Sequence, residues 1–193
     1  MSAVDEAASV RIVRSAERFE TVQPGIVSRH CFSAGPYYNP SNLSFGPLIG
    51  FDEHLIDPGA GFDEHAHARV EIASWVLAGQ LQHSSTDGSD RLVGPRDLFA
   101  QEAGSGIRHV ERNASSTEPL HLIQVTVTAG TLYWFEPLDA GTQIDAPLIH
   151  AYVVSGFWTV GDEFLVAGDS VRAEQSLVVD GSGELLVLCM RAS

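Results

Sequence analysis

The chain has 193 residues, of which 44% are apolar, enough for one large or two small hydrophobic cores. Its formal net charge of −14, with only 11 Lys and Arg residues, excludes a nucleic-acid-binding surface, which needs clustered basic side chains. No apolar run reaches the roughly 18 residues that a membrane-spanning segment needs. The acidic first residues contain no apolar stretch that could act as a secretory signal, so we expect a cytoplasmic protein.

Helical periodicity is scarce, with at most a turn or two at residues 5–9. Short apolar runs rich in Val, Ile, Leu and aromatic residues recur instead, each bounded by Gly, Asp, Asn or Pro. These runs are VEIASWVLAG, LVGPRDLFA, LHLIQVTV, HAYVVSG, EFLVAGD and ELLVLC. They predict the strands of an all-β sandwich or barrel.

Two hairpins are predicted from turn residues between such runs. The segment STDGSD, residues 85–90, contains the Asp-Gly pair that favours a tight turn between antiparallel strands. In VSGFW, the pair Ser155-Gly156 separates two apolar stretches and predicts a second hairpin.

The turn-rich segment of residues 129–147 predicts a crossing from one β unit into another. We therefore divide the chain into residues 1–130 and a shortened C-terminal β domain of residues 131–193. SWVLAGQLQH is echoed by AYVVSGFWTV, and LVGPRDLF by LVAGDSV. This weak internal repeat suggests two related β-barrels in tandem, and chance similarity between hairpins is the alternative.

The segment GFDEHAHARVE, residues 61–71, indicates a metal site. His65 and His67 are two residues apart, so in a strand they project from one face about 6.5–7 Å apart. His109 and Glu111 repeat this spacing in AGSGIRHVE. If the two strands are neighbours, three imidazoles and a carboxylate converge, a set that suits Fe(II), Mn, Co, Ni or Zn. Surface exposure of unrelated histidine pairs is the alternative.

Glu71 follows His65 and His67 at an even spacing and is a candidate ligand or hydrogen-bond acceptor for an imidazole. A salt bridge with Arg69 is its alternative role. Glycines at positions 104 and 106 allow a tight bend that aims His109. The remaining histidines are isolated and are predicted to be exposed or hydrogen-bonded structural residues: His30, His54, His83, His121 and His150.

Several of these segments together resemble the pirin family of the cupin superfamily. They are SRHCFSAGPYYNPSNLSFGPL, PGAGFDEHAH, VLAGQLQH, AGSGIRHVERN and LHLIQV, and the resemblance covers about residues 26–128. It implies an all-β fold built on a cupin β-barrel (jelly roll). The whole chain is then expected to be a bicupin with a reduced C-terminal second barrel.

The resemblance also implies a ligand set. Pirins bind iron through both histidines of the H-x-H pair, the histidine after the A-G-x-G-I turn, and the glutamate two residues later. By position these are His65, His67, His109 and Glu111. We therefore expect one divalent transition metal, with Fe(II) preferred and Mn, Ni, Co, Zn or Cu as alternatives. Glu71 matches a further glutamate that is not a ligand in the family, which favours the hydrogen-bonding role.

The chain departs from the family pattern beside this site. Pirins usually carry Pro between the two histidines and Arg-Gly after them, where this chain has Ala66, Ala68 and Arg69. Where the family reads roughly Gln-x-Met-Ser/Thr before Ala-Gly, this chain has FAQE at residues 99–102. A substrate range different from that of the relatives is expected.

The resemblance implies a metal-dependent dioxygenase of the quercetinase type, acting with O2 on a flavonol-like or other enolisable aromatic substrate. Glu111, as a carboxylate at the metal, is the candidate catalytic base. The alternative is a non-catalytic metal-binding regulator that acts through a protein partner. A third hypothesis is an enzyme of another cupin class, such as an isomerase.

Overall fold

The computed structural model describes residues 10–191, and the turn predicted at residues 5–9 lies outside them. The chain folds as two compact units. One comprises residues 18–130; the other comprises residues 10–17 and 131–191. No helix within residues 10–191 combines the length and the apolar character that a membrane crossing requires.

The larger unit contains two antiparallel sheets. Its strands are β2 (Phe19–Gln23), β3 (Ile26–His30), β4 (Leu48–Ile56), β5 (Gly61–His67), β6 (Val70–Ala78), β7 (Leu81–Ser85), β8 (Arg91–Val93), β9 (Leu98–Glu102), β10 (Ile107–Asn113) and β11 (Leu120–Thr128). One sheet has the order β2-β3-β4-β11-β6-β9 and the other has the order β5-β10-β7-β8. Strands adjacent in space are often distant in sequence, as in a jelly roll.

The two sheets of this unit enclose a shared hydrophobic core. Ile56, Val76 and Leu122 from the six-stranded sheet pack in one cluster with Leu81 and Val93 from the four-stranded sheet. All five side chains are buried. This arrangement confirms the predicted all-β cupin jelly roll.

The second unit is a smaller antiparallel sheet. Its strands are β1 (Val10–Val13), β12 (Tyr133–Ile144), β13 (Leu148–Val160), β14 (Glu163–Val166), β15 (Ser170–Ala173) and β16 (Leu177–Met190), with a 3-10 turn at Ser15–Glu17. The sheet order is β1-β15-β13-β16-β12, with β14 paired to β13. Trp158, Ile149 and Leu185 are fully buried in its core.

The sequence assigned β1 to the N-terminal domain, whereas the structure places it at the edge of the second unit. Val10 lies opposite Ala173 in the β1–β15 ladder. Beyond the strand, Arg14 donates a hydrogen bond of 3.1 Å to the carboxylate of the buried Asp169. Backbone pairing and this ion pair join the N-terminal segment to residues distant in sequence, so local pattern alone could not assign it.

One hairpin prediction was wrong, and the segment predicted to be turn-rich is mostly strand. The two units meet between residues 130 and 131, inside the predicted crossing, but residues 133–144 form β12, which pairs with β16 through register shifts. The Ser155-Gly156 pair lies inside the continuous strand β13. Gly156 has φ +80° and passes so close to β16 that a Cβ would lie 2.0 Å from the Ser182 carbonyl oxygen. This glycine is required for a close approach of two strands at a bulge, which a sequence cannot distinguish from a turn.

The Asp-Gly hairpin prediction was confirmed. β7 and β8 pair antiparallel, with His83 opposite Arg91, and Gly88 adopts φ +83° in the turn between them. The run LVGPRDLFA divides between β8 and β9, which belong to different sheets. The β7–β8 turn therefore comes directly before the point where the chain crosses from one sheet to the other.

Candidate metal centre

The predicted histidines meet on neighbouring strands of the four-stranded sheet. β5 and β10 pair antiparallel, and His109 lies directly opposite His65. The ring centroids of His65, His67 and His109 are 4.4 to 4.9 Å apart. One ring nitrogen from each lies within 4.8 Å of the other two, an arrangement that could hold a metal ion.

Local backbone features bring these side chains together. Gly104 has φ +50° in the turn before β10, as the A-G-x-G pattern predicted. The β5–β10 register shifts between His109 and Glu111. At this bulge β5 comes so near to β10 that a Cβ on Gly61 would lie 2.2 Å from the Glu111 carbonyl oxygen. The bulge re-aims the end of the strand, so that Glu111 and His109 both reach the same interior region.

Hydrogen bonds fix the tautomer of two imidazoles. Nδ1 of His65 lies 2.8 Å from the Asp63 carbonyl oxygen, which can only accept, so Nδ1 carries the proton. Nδ1 of His109 lies 3.2 Å from the amide oxygen of Gln101 and also donates. In the neutral tautomers that these bonds select, Nε2 of each ring carries the lone pair. These two nitrogens lie only 2.8 Å apart, a repulsive arrangement unless a cation lies between them.

The donor set fits a divalent metal. Nε2 of His67 is buried without a hydrogen-bond partner among residues 10–191. Burial, with three neighbouring imidazoles, lowers the pKa of His109 from 6.5 to about 3. Burial and the imidazole of His65 also lower the pKa of His67. Neutral imidazoles are the form that binds metal, and two nitrogens bound at ~2.1 Å on adjacent octahedral positions lie ~3.0 Å apart. The observed 2.8 Å spacing fits.

Glu111 lies beside the three histidines rather than among their closest nitrogens. One of its oxygens is 3.8 Å from Nε2 of His109, and its side chain is buried. The amide nitrogen of Gln124 lies 3.0 Å from both carboxylate oxygens and 3.2 Å from the Ser74 hydroxyl. Gln124 therefore holds the carboxylate in one orientation next to the imidazole cluster.

Glu71 does not share a strand with the histidine pair. The prediction that its side chain projects from the same strand face as His65 and His67 was therefore wrong. β5 ends at His67 and β6 begins at Val70, with Arg69 between them at φ +60°. This left-handed residue turns the chain and breaks the alternation. Glu71 instead lies in β6, opposite Glu102 of β9.

Sequence reasoning missed two residues that contact His109. His83 is buried, and its Nε2 lies 3.0 Å from Nδ1 of His109. The buried Gln101 contacts both rings through its amide oxygen. His83 was classed as isolated because its neighbours come from other strands. Its spacing from Leu81 could have revealed it. The two residues are two positions apart, so they share one face of β7, and an apolar residue on that face indicates that the histidine is also interior.

Other histidines have the structural role that was predicted. His30 bonds Asp52 at 2.8 Å, and His121 bonds Glu53 at 2.9 Å. The buried His54 bonds the Ser28 hydroxyl at 2.7 Å.

Sequence comparison identifies relatives of the first unit. The sequence model of the Pirin family matches residues 12–127. A Mycobacterium bovis protein whose name gives quercetin 2,3-dioxygenase as a provisional assignment is 40% identical over 120 residues, covering 62% of this chain and 49% of the relative. The Escherichia coli K12 protein named quercetin 2,3-dioxygenase is 39% identical over 100 residues, covering 52% of this chain and 43% of the relative. This chain thus spans about half the length of the curated relatives that it matches.

Structural comparison extends the likeness to the fold as a whole. The bacterial pirin YhhW from Escherichia coli, solved in complex with nickel(II), has a TM-score of 0.84 and 23% sequence identity, covering 96% of this chain and 100% of that chain. At this identity the likeness shows the fold alone. Since the family match covers more than half of the chain and includes all four predicted metal-site positions, the chain belongs to the Pirin family.

Proposed function

We propose that this protein is a metal-dependent dioxygenase of the quercetinase type, acting on a flavonol-like or other enolisable aromatic substrate. The observation that carries the proposal is the group of three imidazoles, His65, His67 and His109, with the buried carboxylate of Glu111 beside them. The names of the curated relatives support the reaction class. The substrate class rests on these names, because one fold supports many different substrates.

His65, His67, His109 and Glu111 would hold one divalent transition metal. Nitrogen and carboxylate donors without thiolate suit Fe(II), our preferred candidate, and also Mn, Ni, Co, Zn or Cu. The nickel(II) complex of the pirin YhhW supports a divalent ion in this kind of fold. When bound, such an ion supplies Lewis acidity and a template for a substrate with adjacent oxygen atoms.

The protein's own contribution is proton transfer and orientation. A carboxylate oxygen of Glu111 accepts the proton of the substrate hydroxyl, which leaves an electron-rich enolate ready to react with O2. Gln124 donates to both oxygens of Glu111 and so prevents the carboxylate from rotating away. Phe62 packs edge-on between the rings of His54 and His65 and limits the space beside the imidazole cluster.

The direct test combines elemental analysis with oxygen uptake. Protein purified without added metal is analysed for transition metals, then loaded with Fe(II) and offered a panel of flavonols under an oxygen electrode. We expect one metal per chain and O2 consumption with at least one flavonol that carries adjacent hydroxyl and carbonyl groups. Stoichiometric metal with no uptake across the panel contradicts the dioxygenase.

That last result would favour a metal-binding regulator that acts through a protein partner. The net charge of −14 supports this alternative, since it suits a partner with a basic surface. The two functions differ in what the metal is for. A regulator would bind its partner with an affinity that changes on metal removal, while oxygen uptake would stay at background.

A further inference from the structure

The β7–β8 turn holds the amide of Gln101 in one orientation. The Gln101 amide nitrogen lies 2.9 Å from the Ser85 hydroxyl and 3.0 Å from a carboxylate oxygen of Asp87. Hydrogen bonds from Ser89 and Gln101 lower the pKa of Asp87, so this exposed carboxyl is ionised near neutral pH and only accepts. The nitrogen of the Gln101 amide must therefore face the turn, and its oxygen must face the barrel interior.

The same turn orients the imidazole of His83. Nδ1 of His83 lies 2.8 Å from the carbonyl oxygen of Ser89, which can only accept, and in the neutral tautomer that this bond selects Nε2 is an acceptor. This Nε2 lies 3.0 Å from Nδ1 of His109. The ring of Phe99 packs against His83 with centroids 4.6 Å apart and limits its rotation.

Nδ1 of His109 is thus flanked by two acceptors, Nε2 of His83 at 3.0 Å and the Gln101 oxygen at 3.2 Å, which lie 3.0 Å from each other and share its proton in one bifurcated hydrogen bond. We propose that His83 and Gln101, both held by the β7–β8 turn, are positioning residues that keep the His109 proton on Nδ1 and aim Nε2 at the metal. The inference rests on the proposed metal site. It gives a role to a turn that sequence reasoning interpreted only as a hairpin connection.

Two further observations favour this role over simple core packing. Gln101 comes from the six-stranded sheet and His109 from the four-stranded sheet, so the contact couples the two sheets at the metal site. Moreover, the amide oxygen of the buried Gln101 lies within hydrogen-bond distance of both His83 and His109. An apolar residue of similar size would fill the space there but could not accept the His109 proton.

The test measures metal binding and the spectrum of bound Co(II), independently of any enzyme activity. His83→Leu and Gln101→Met remove one acceptor each at nearly constant volume, whereas His83→Gln keeps an acceptor near the position of Nε2. Asp87→Ala removes the exposed anchor of Gln101 without touching the core. Matched controls are His121→Leu, at a histidine bonded to Glu53, and Gln82→Met, at an exposed glutamine beside His83.

Apo protein of each variant is titrated with Co(II) against a competing chelator, and visible absorption is recorded at saturation. We expect His83→Leu and Gln101→Met to weaken Co(II) binding about 10–100-fold and to shift the d–d bands. His83→Gln and both controls should keep the original spectrum and affinity. Asp87→Ala should shift the bands in the same direction, which keeps the test valid if a core variant fails to fold.

Three results would contradict the inference in distinguishable ways. If the unaltered protein binds no Co(II), the proposed metal site fails and the inference fails with it. If it binds Co(II) but the acceptor-removing variants match it in affinity and spectrum, the metal site stands and the positioning role is wrong. If His83→Gln is as impaired as His83→Leu, ring packing rather than the hydrogen bond is what matters, and the inference is again wrong.

Discussion

The Nε2 atoms of His65 and His109 lie 2.8 Å apart across directly paired strands, and both rings donate from Nδ1 to carbonyl or imidazole acceptors. Two lone pairs therefore face each other in a partly buried place. This repulsion opposes folding of the metal-free protein, and a cation bound by both nitrogens removes it. The relationship links metal binding to stability, since an ion that binds only the folded state stabilises it.

We expect a divalent metal to raise the melting temperature of the chelated protein. At 100 times the dissociation constant, binding adds about 2.7 kcal/mol. For a chain of this size that corresponds to a shift of about 5–10 °C. Differential scanning calorimetry with and without Ni(II) or Fe(II) measures the shift, and elemental analysis should give one metal per chain.

His65→Ala should abolish this shift, because it removes one of the two facing nitrogens. His121→Ala is the control, since His121 bonds Glu53 and is not part of the imidazole cluster. An equal metal-dependent shift in both variants, or two metals per chain, would argue against the assigned site.

Gly61→Ala is expected to damage the site without altering a ligand. A Cβ at position 61 would lie 2.2 Å from the carbonyl oxygen of Glu111 and 2.6 Å from Cα of Arg112, so β5 must move away from β10. We expect a loss of about 1–3 kcal/mol in the free energy of unfolding, as for other overpacked positions, together with weaker metal binding.

Gly94→Ala is the matched control for this change. Its Cβ would meet nothing closer than the Asp97 carboxylate at 3.6 Å, an ordinary contact, and its backbone is not left-handed. Urea unfolding and chelator competition on both variants provide the comparison. Gly61→Ala protein with unchanged metal affinity would show that the close strand approach does not position the ligands.

The metal site was predictable as far as local geometry goes. Alternation with period two places His65 and His67 on one face of any strand, and the same argument applies to His109 and Glu111. The Asp-Gly turn was predictable for a similar reason, because few residues tolerate its backbone angles. These features depend on residues that are adjacent in sequence.

The predictions that were wrong concern residues whose roles depend on contacts formed only in the folded chain. Gly156 resembles a turn residue, yet its function is to let β13 approach β16, a contact that exists only in the folded sheet. Arg69 breaks the strand before Glu71 although its side chain gives no sign of a left-handed backbone. His83 could not be assigned to His109 because their contact depends on the β7–β10 pairing.

His54 should make stability fall in mildly acidic solution. Burial lowers the pKa of His54 from 6.5 to about 4, although the charge of Asp52 opposes this shift. The unfolded chain then binds a proton between pH 6.5 and 4 that the folded chain does not bind. The burial of His54 therefore costs no stability above pH 6.5. As the pH falls to about 4, the free energy of unfolding decreases by about 3 kcal/mol.

His54→Asn removes this titration and can keep the hydrogen bond to Ser28, because the Asn amide oxygen takes the place of Nδ1. Urea unfolding of both proteins with chelator present, at pH 7, 5.5 and 4, isolates the contribution of His54. The variant should gain stability relative to the unaltered protein as the pH falls. A constant difference across this range would mean that His54 does not titrate as expected.

Glu111→Gln separates metal binding from proton transfer in the proposed dioxygenase. If Glu111 serves only as a ligand, the variant should bind metal more weakly, and excess metal should restore turnover. If Glu111 is also the base, the fully loaded variant should stay about 10²–10⁴-fold slower, because an amide oxygen is too weak a base to take the substrate proton. Oxygen uptake is measured at metal saturation, with occupancy verified by elemental analysis.

Gln124→Leu tests whether the orientation of the Glu111 carboxylate matters for turnover. It removes the amide that donates to both oxygens of Glu111, so it should slow turnover at full metal occupancy while leaving a carboxylate able to accept the proton. We expect its rate to lie between those of the unaltered protein and Glu111→Gln, because the base is present but less well oriented. His65→Ala should instead show mainly a metal-affinity defect. A fully loaded Glu111→Gln protein that turns over at the original rate would end the assignment of Glu111 as the base.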